Sequence, residues 1–139
     1  MHDIGHLLHH LPDRAPDDGV DDLHEQLAGR WLARWFGPEV VEPASMHVAA
    51  KRYLCAVEPG YRETLSPPSL LSLALQGGPM TSSEVHAFRD SAHADAAVAL
   101  RRWDDAAKDP TLQVPGVDEY IPYIKEALAS ASAPARSLP

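Results

Sequence analysis

Residues 2 to 6 read His2-Asp3-Ile4-Gly5-His6, and the first two are an imidazole and a carboxylate side by side, both metal ligands by type. Neighbouring side chains on a helix diverge by about 100°. Both therefore reach one pair of ions only if the Asp3 carboxylate bridges while His2 binds one ion from the side. His24, His47 and Asp104 offer the same chemistry from three other stretches. Five ligands drawn from four helices can enclose a pocket in a bundle core, the way helical proteins commonly build two-metal sites. Taken singly, each has a plainer reading as a surface or capping residue. Helical spacing sets more polar groups on the same faces: His6 four after His2, Lys51 four after His47, Arg101 three before Asp104. A cation beside a metal ligand repels the metal unless an anionic oxygen ligand sits between them. The plainer readings are an ion pair of Arg101 with Asp104 or Asp105 and a solvated face for Lys51. Lys108, four after Asp104, reads as an ion-pair partner.

Helices must carry these groups, and apolar positions do recur at helical spacing while strand signals are weak. The stretch from Val20 to Phe36 sets Leu23, Leu27, Trp31 and Trp35 four apart, opens on Asp21 and Asp22, and stops at Gly37-Pro38. A second helix is expected from Ala44 to Val57, ended by Pro59-Gly60. A third starts at Ser66-Pro67-Pro68 and passes Leu75 to the Gly77-Gly78-Pro79 break. Ser82 or Ser83 would cap a short fourth helix ending near Arg89; a fifth runs from Ala92 to Lys108; a last amphipathic one starts at Asp118 and carries Ile121, Ile124 and Leu128. The fold class is all-α, one domain over residues 1–128, with the Ala-, Ser- and Pro-rich tail 129–139 expected to be disordered.

Composition narrows the function. At 139 residues the chain has the size of one domain, which buries roughly 68–70% of its unfolded surface. Twelve basic against twenty acidic residues give a net charge of −8 without a basic block, which disfavours nucleic acid and anionic membrane surfaces. No apolar run has the length of a membrane span and no leader pattern stands at the front, so a cytoplasmic location is expected. Cys55 is the single thiol, which excludes intrachain disulfides and multi-cysteine metal sites, and it reads as buried and inert. Eight histidines beside the acidic residues suit iron, manganese or zinc. Other motifs fail: His24-Glu25 opens like a zinc-protease helix but Ala28 stands where the second His belongs, and Gly77-Gly78 lacks the residues of a phosphate loop. His9, His10, His86 and His93 read as surface.

The run at 2–6, followed by His24 and His47, resembles the metal-binding core of the HD-domain superfamily, best known for metal-dependent phosphohydrolases. The stretches HVAAKRYLCAVEPGY at 47–61, SPPSLLSLALQGGPM at 66–80 and LRRWDDAAK at 100–108 are similar to HD proteins of phosphonate-degradation operons. That group includes mixed-valence di-iron oxygenases that cleave 1-hydroxy-2-aminophosphonates. The resemblance runs from His2 to about Lys108. It implies an HD-type helical bundle, Asp3 as bridging ligand, His2 and Asp104 on one iron, and His24 and His47 on the other. It also implies that His6, Lys51, Ser69, Ser72 and Arg101 contact the substrate, chiefly its phosphonate. An Fe(II)/Fe(III) pair carries five positive charges against two carboxylates, a surplus that attracts a dianion. The implied reaction uses molecular oxygen to cleave the carbon–phosphorus bond of 2-amino-1-hydroxyethylphosphonate to glycine and phosphate, or to form glycine betaine from a trimethylammonium relative. Members of that group carry a further His ligand on a helix upstream of the His-Asp pair. The expectation is therefore a chain that lacks the family's N-terminal helix, binds metal incompletely and is impaired in this form.

Two rivals follow from the same residues. A phosphohydrolase would use two Mn, Mg or Fe ions to activate water against a phosphoester. A degenerate helical module would bind no metal and associate through an exposed apolar patch with a partner or as a homodimer.

Overall fold

Gly37-Pro38 begins a helix, because proline at the first helical position lacks an amide hydrogen that the helix leaves unused there. The helix it opens, α2 (Pro38–Val57), therefore starts before the expected Ala44. Pro43 removes one backbone hydrogen bond inside it without ending it, and its ring is buried. The computed structural model describes residues 1–8 and 19–131. His9, His10 and the tail from 132 onward lie outside them. Among the described residues there are six α-helices, three 3-10 segments and no strand, as the all-α expectation has it. The others are α1 (His24–Leu32), α3 (Pro67–Leu75), α4 (Ser82–Arg89), α5 (Ala94–Ala106) and α6 (Ile121–Ala131), with 3-10 segments at His2–Leu7, Arg62–Thr64 and Val117–Tyr120. None of the described helices is long and apolar enough to cross a membrane.

Helix α2 is the central element, with α1 and the His2–Leu7 segment on one side and α5 on the other. Small residues let the backbones approach: Ala50 of α2 and Ala97 of α5 are fully buried in a cluster with Phe88 and Ala94. A Cβ on Gly29 of α1 would sit 2.1 Å from the Ser45 Oγ of α2. Leu54, Tyr61, Leu65 and Leu73 form a second cluster that fastens α3 to the end of α2. Leu32, Phe36 and Ala44 form a third, against which Ile124, Ala127 and Leu128 of α6 pack. Helix α6 continues through Ala131, beyond the boundary expected at residue 129.

The face of α1 differs from the expected stripe. His24, Ala28 and Leu32 are buried, whereas Leu23 and Trp35 are exposed. Leu23 takes a left-handed backbone (φ 49°), so the helix starts only at His24 and Trp35 falls in the turn beyond its end. Caps fix two other helices. Ser66 Oγ accepts from the Ser69 amide at the front of α3. Thr81, rather than Ser82 or Ser83, forms a capping box with Glu84 at α4. Cys55 is half-buried rather than buried, and desolvation pushes its thiol up.

Two stability predictions follow. Leu54 is almost fully buried, so Leu54→Ala is expected to lower the unfolding free energy by about 2–5 kcal/mol, read as a lower urea midpoint at unchanged slope. The Thr81 backbone amide, then Arg52 and the Thr81 hydroxyl, hold the Glu84 carboxyl down at about 2 against an ordinary 4.5. A lowered value stabilises the fold fully above the ordinary value and loses that support as pH falls toward the folded value. The stability gap between the native chain and Glu84→Gln is therefore expected to shrink steadily between about pH 5 and about pH 2, and a gap constant over that range would contradict the assignment.

Candidate metal centre

The His2–Leu7 segment reaches the bundle because Gly5 has no side chain: a Cβ there would lie 1.9 Å from the His24 carbonyl oxygen. That approach sets His2 and Asp3 against His24 at the start of α1, His47 in the middle of α2 and Asp104 near the end of α5. Asp3 Oδ2 lies 3.0 Å from His2 Nε2, while Asp3 Oδ1 lies 3.6 Å from His47 Nε2 and 3.9 Å from His24 Nε2. His2 Nε2 is 3.7 Å from Asp104 Oδ1. The five sequence-derived ligands thus fall into two triads, Asp3/His24/His47 and His2/Asp3/Asp104, with one oxygen of Asp3 turned to each.

Whether these residues fit metal ions is decided by where their protons and lone pairs lie. His47 Nδ1 is 2.7 Å from the Ala44 carbonyl, which only accepts, so Nδ1 carries the hydrogen. Burial pushes the His47 imidazolium down to about 4, leaving a neutral ring whose Nε2 presents a lone pair. His24 Nδ1 lies 2.7 Å from Asp22 Oδ1 and is likewise committed. The two Nε2 atoms then face each other at 3.1 Å in a buried site. Facing lone pairs repel, and a proton or a cation between them removes the repulsion. On the other triad, His2 Nε2 is buried between two carboxylates without completing a hydrogen bond to either. Asp104 first, and Asp3 with it, push the His2 ring up to about 9, a proton standing where a metal ion would. Two imidazoles with one carboxylate are the open-sided set that non-haem iron favours. The donors fit.

Asp22, which the sequence reading assigned to a helix start, is the outer partner of this set. Its Oδ1 accepts from the ring and the backbone amide of His24, and its Oδ2 lies 2.8 Å from His6 Nδ1. Burial would raise its carboxyl, but the His24 bonds and the nearby His6 more than offset this and hold it at about 2. His6 does not share a face with His2 as an α-helix would have it. In a 3-10 segment the turn is three residues, and His6 stacks on His24 with ring centroids 4.0 Å apart. The only sequence signal for Asp22 is its place two residues before a ligand.

Cations line the same cleft of about 630 Å³, beside the triad ligands. Buried Lys51 donates from Nζ to Ser72 Oγ at 2.8 Å, and Ser72 Oγ donates on to the Ser69 carbonyl. Burial, then the Arg101 and Lys108 charges, push the Lys51 ammonium down to about 8. Arg101 bonds Asp104 Oδ2 at 2.8 Å, so the plain ion pair and the cleft position hold together. Burial would raise the Asp104 carboxyl, but His2, Arg101 and Lys108 outweigh it and hold it well below the usual range. Lys108 pairs with Asp105 at 2.9 Å and also lines the cleft, 3.5 Å from Ser69 Oγ. All ten candidate residues therefore stand in or beside one cleft. His86 is exposed and His93 half-buried, both away from it.

Fold and site together define a helical protein with a candidate two-ion centre facing an anion-sized cationic wall. The chain is 43% identical over 129 residues to the hydroxymethylphosphonate dioxygenase of Gimesia maris, a match covering 92% of this chain and 64% of that protein. It is 36% identical over 125 residues to the 1-hydroxy-2-(trimethylamino)ethylphosphonate dioxygenase (glycine-betaine-forming) of Leisingera caerulea, covering 90% and 64%. The chain thus spans less than two thirds of the length of these curated relatives. No family model matches the chain.

An outer carboxylate that fixes a ligand imidazole contributes roughly 10–100-fold to metal affinity. Asp22→Asn is expected to weaken Fe(II) binding by about that factor in a chelator competition while the circular dichroism spectrum stays helical; unchanged affinity would show that Asp22 does not orient His24.

Proposed function

We propose that this chain forms the metal- and anion-binding part of a dioxygen-dependent phosphonate oxygenase, and that its substrate carries a hydroxyl on the carbon bound to phosphorus. The observation that carries the reading is one cleft in which two triads sharing Asp3 face Lys51 and Arg101, with Ser69 and Ser72 between. The two dioxygenases to which the chain is similar have names that share the hydroxyl-carbon-phosphonate unit and differ in what else that carbon bears.

Asp3 would bridge two iron ions, with His24 and His47 on one and His2 and Asp104 on the other. Bound there, a mixed-valence iron pair would supply dioxygen activation and one-electron chemistry. The protein does the positioning. Lys51, Arg101 and the two serines would hold the phosphonate dianion, whose charge returns the Lys51 ammonium toward its ordinary range. Because the hydroxyl sits on the neighbouring atom, anchoring the phosphonate on the cationic wall turns the hydroxyl-bearing carbon toward the triads. His6, stacked on His24, would close the near side of the cleft. Val20, Val48, Leu71 and Leu75 in the lining would exclude water from the reacting carbon. For 2-amino-1-hydroxyethylphosphonate the atoms balance: substrate plus one O₂ equals glycine plus phosphate. The His24 and His47 Nε2 atoms 3.1 Å apart, with Asp22 behind the His24 ring and Asp3 in front of both, support this reading over a metal-free module.

The test is an oxygen electrode beside a phosphate assay on the iron-loaded chain, with hydroxymethylphosphonate and 2-amino-1-hydroxyethylphosphonate as substrates. One O₂ consumed per phosphate released is expected. Phosphate released at the same rate without oxygen would sink the reading in favour of hydrolysis. In the active system Lys51→Met is expected to raise KM by about tenfold or more, the worth of a hydrogen bond to a charged group.

A further inference from the structure

Arg101 is 4% exposed, and a buried guanidinium is held only where its donors are satisfied. Its partners are largely not the metal ligands. Helix α5 presents Arg101, Asp104 and Asp105 at i, i+3 and i+4, on one face. Asp105 takes the side of the guanidinium: Nε donates to Oδ2 at 3.1 Å and Nη2 donates to Oδ1. The Tyr61 hydroxyl completes the clamp from another part of the chain, accepting from Arg101 Nε at 3.1 Å and donating to Asp105 Oδ2 at 2.5 Å. The Tyr61 ring is fixed in turn, buried with Leu54, Leu65 and Leu73. Nη1 forms an ion pair with Asp104 Oδ2 at 2.8 Å.

A guanidinium has five N–H groups. The hydrogen bonds to Tyr61 and Asp105 engage the Nε hydrogen and one on Nη2, which leaves three, two on Nη1 and one on Nη2, for oxygens at the cleft that Arg101 lines. We infer that Tyr61 and Asp105 are positioning residues: they lock Arg101 so that the remaining donors on its two terminal nitrogens form a rigid fork for one phosphonate or phosphate group. This rests on Arg101 being an anion contact, as the proposed function has it. A fork whose orientation is set before binding loses less freedom when the anion arrives. Neither residue touches the substrate.

Charge alone argues the other way, which gives the test its sign. Asp105→Asn makes the cleft more positive by one unit, so if Asp105 were only a competing carboxylate, phosphate would bind more tightly. As a positioning residue its loss weakens binding. The experiment titrates inorganic phosphate into the metal-loaded full chain, well below its melting temperature, for the native protein, Asp105→Asn and Tyr61→Phe. It also follows the Arg101 Nε–H signal in nitrogen-15 spectra. Expected are a loss of about tenfold or more in phosphate affinity for Asp105→Asn, about threefold for Tyr61→Phe, and loss of exchange protection at Arg101 Nε–H in the first, with metal content unchanged. Equal or tighter binding in Asp105→Asn, or no saturable binding by the native chain, would overturn the inference. Should Asp105→Asn not fold, Tyr61→Phe, which keeps the charge and the packing, decides by the same criterion. Weakened phosphate binding in the variants without oxygen-dependent turnover in the native chain would sink the oxygenase reading alone. Turnover with phosphate affinity unmoved in the variants would sink this inference alone.

Discussion

Two imidazole nitrogens 3.1 Å apart, each with its other ring nitrogen already committed, need something positive between them. That requirement organises the structure around it. His47 is set by the regular turn of α2, whose Ala44 carbonyl fixes its tautomer. His24 is set by the abrupt start of α1, where Leu23 takes a left-handed backbone and Asp22 turns back to hold both the ring and the first amide. The bare side chain of Gly5 lets the His2–Leu7 segment close against that corner, bringing Asp3 to divide its two oxygens between the triads. Asp3 is half-exposed in the cleft, while the His24 and His47 imidazoles that also line it are largely buried.

Beside the triads the sign of charge reverses. Lys51 and Arg101 are buried cations, a costly arrangement for stability that their carboxylate and serine partners only partly offset. Among the described residues Lys51 bonds a neutral serine and pairs with no carboxylate, and burial, then the Arg101 and Lys108 charges, lower its pKa. A dianion placed there would pair with it. On the proposed reading a small, doubly charged oxyanion would lie beside these cations and the ions held by the triads.

Much of the centre was legible in the sequence because its chemistry is coded by residue type: imidazoles and carboxylates in four helical stretches, three of them with a further imidazole or a cation one turn away. His2, Asp3, His24, His47 and Asp104 converge, and His6, Lys51, Ser69, Ser72 and Arg101 line the same cleft. What sequence periodicity missed depends on backbone detail. The stripe through Leu23, Leu27, Trp31 and Trp35 is perfectly spaced, yet the buried face is His24, Ala28 and Leu32, because one left-handed residue resets where the helix begins. Pro43 reads as a breaker, but Pro38 had already started the helix. In the sequence Asp22 reads as a helix opening and Asp105 as one of two alternative ion-pair partners for Arg101, since an outer carboxylate declares its part only through the ring or guanidinium it holds. Tyr61 acts from forty residues before Arg101, through a contact no local pattern carries.

The central claim is that these side chains hold a pair of ions astride Asp3. Anomalous diffraction from crystals of the chain equilibrated with Mn(II) tests it most directly. Two peaks on either side of the Asp3 carboxylate, about 3.5–4 Å apart as in two-metal sites, are expected. Crystals with no peak there, or with manganese bound solely at surface acids distant from His24 and His47, would contradict it.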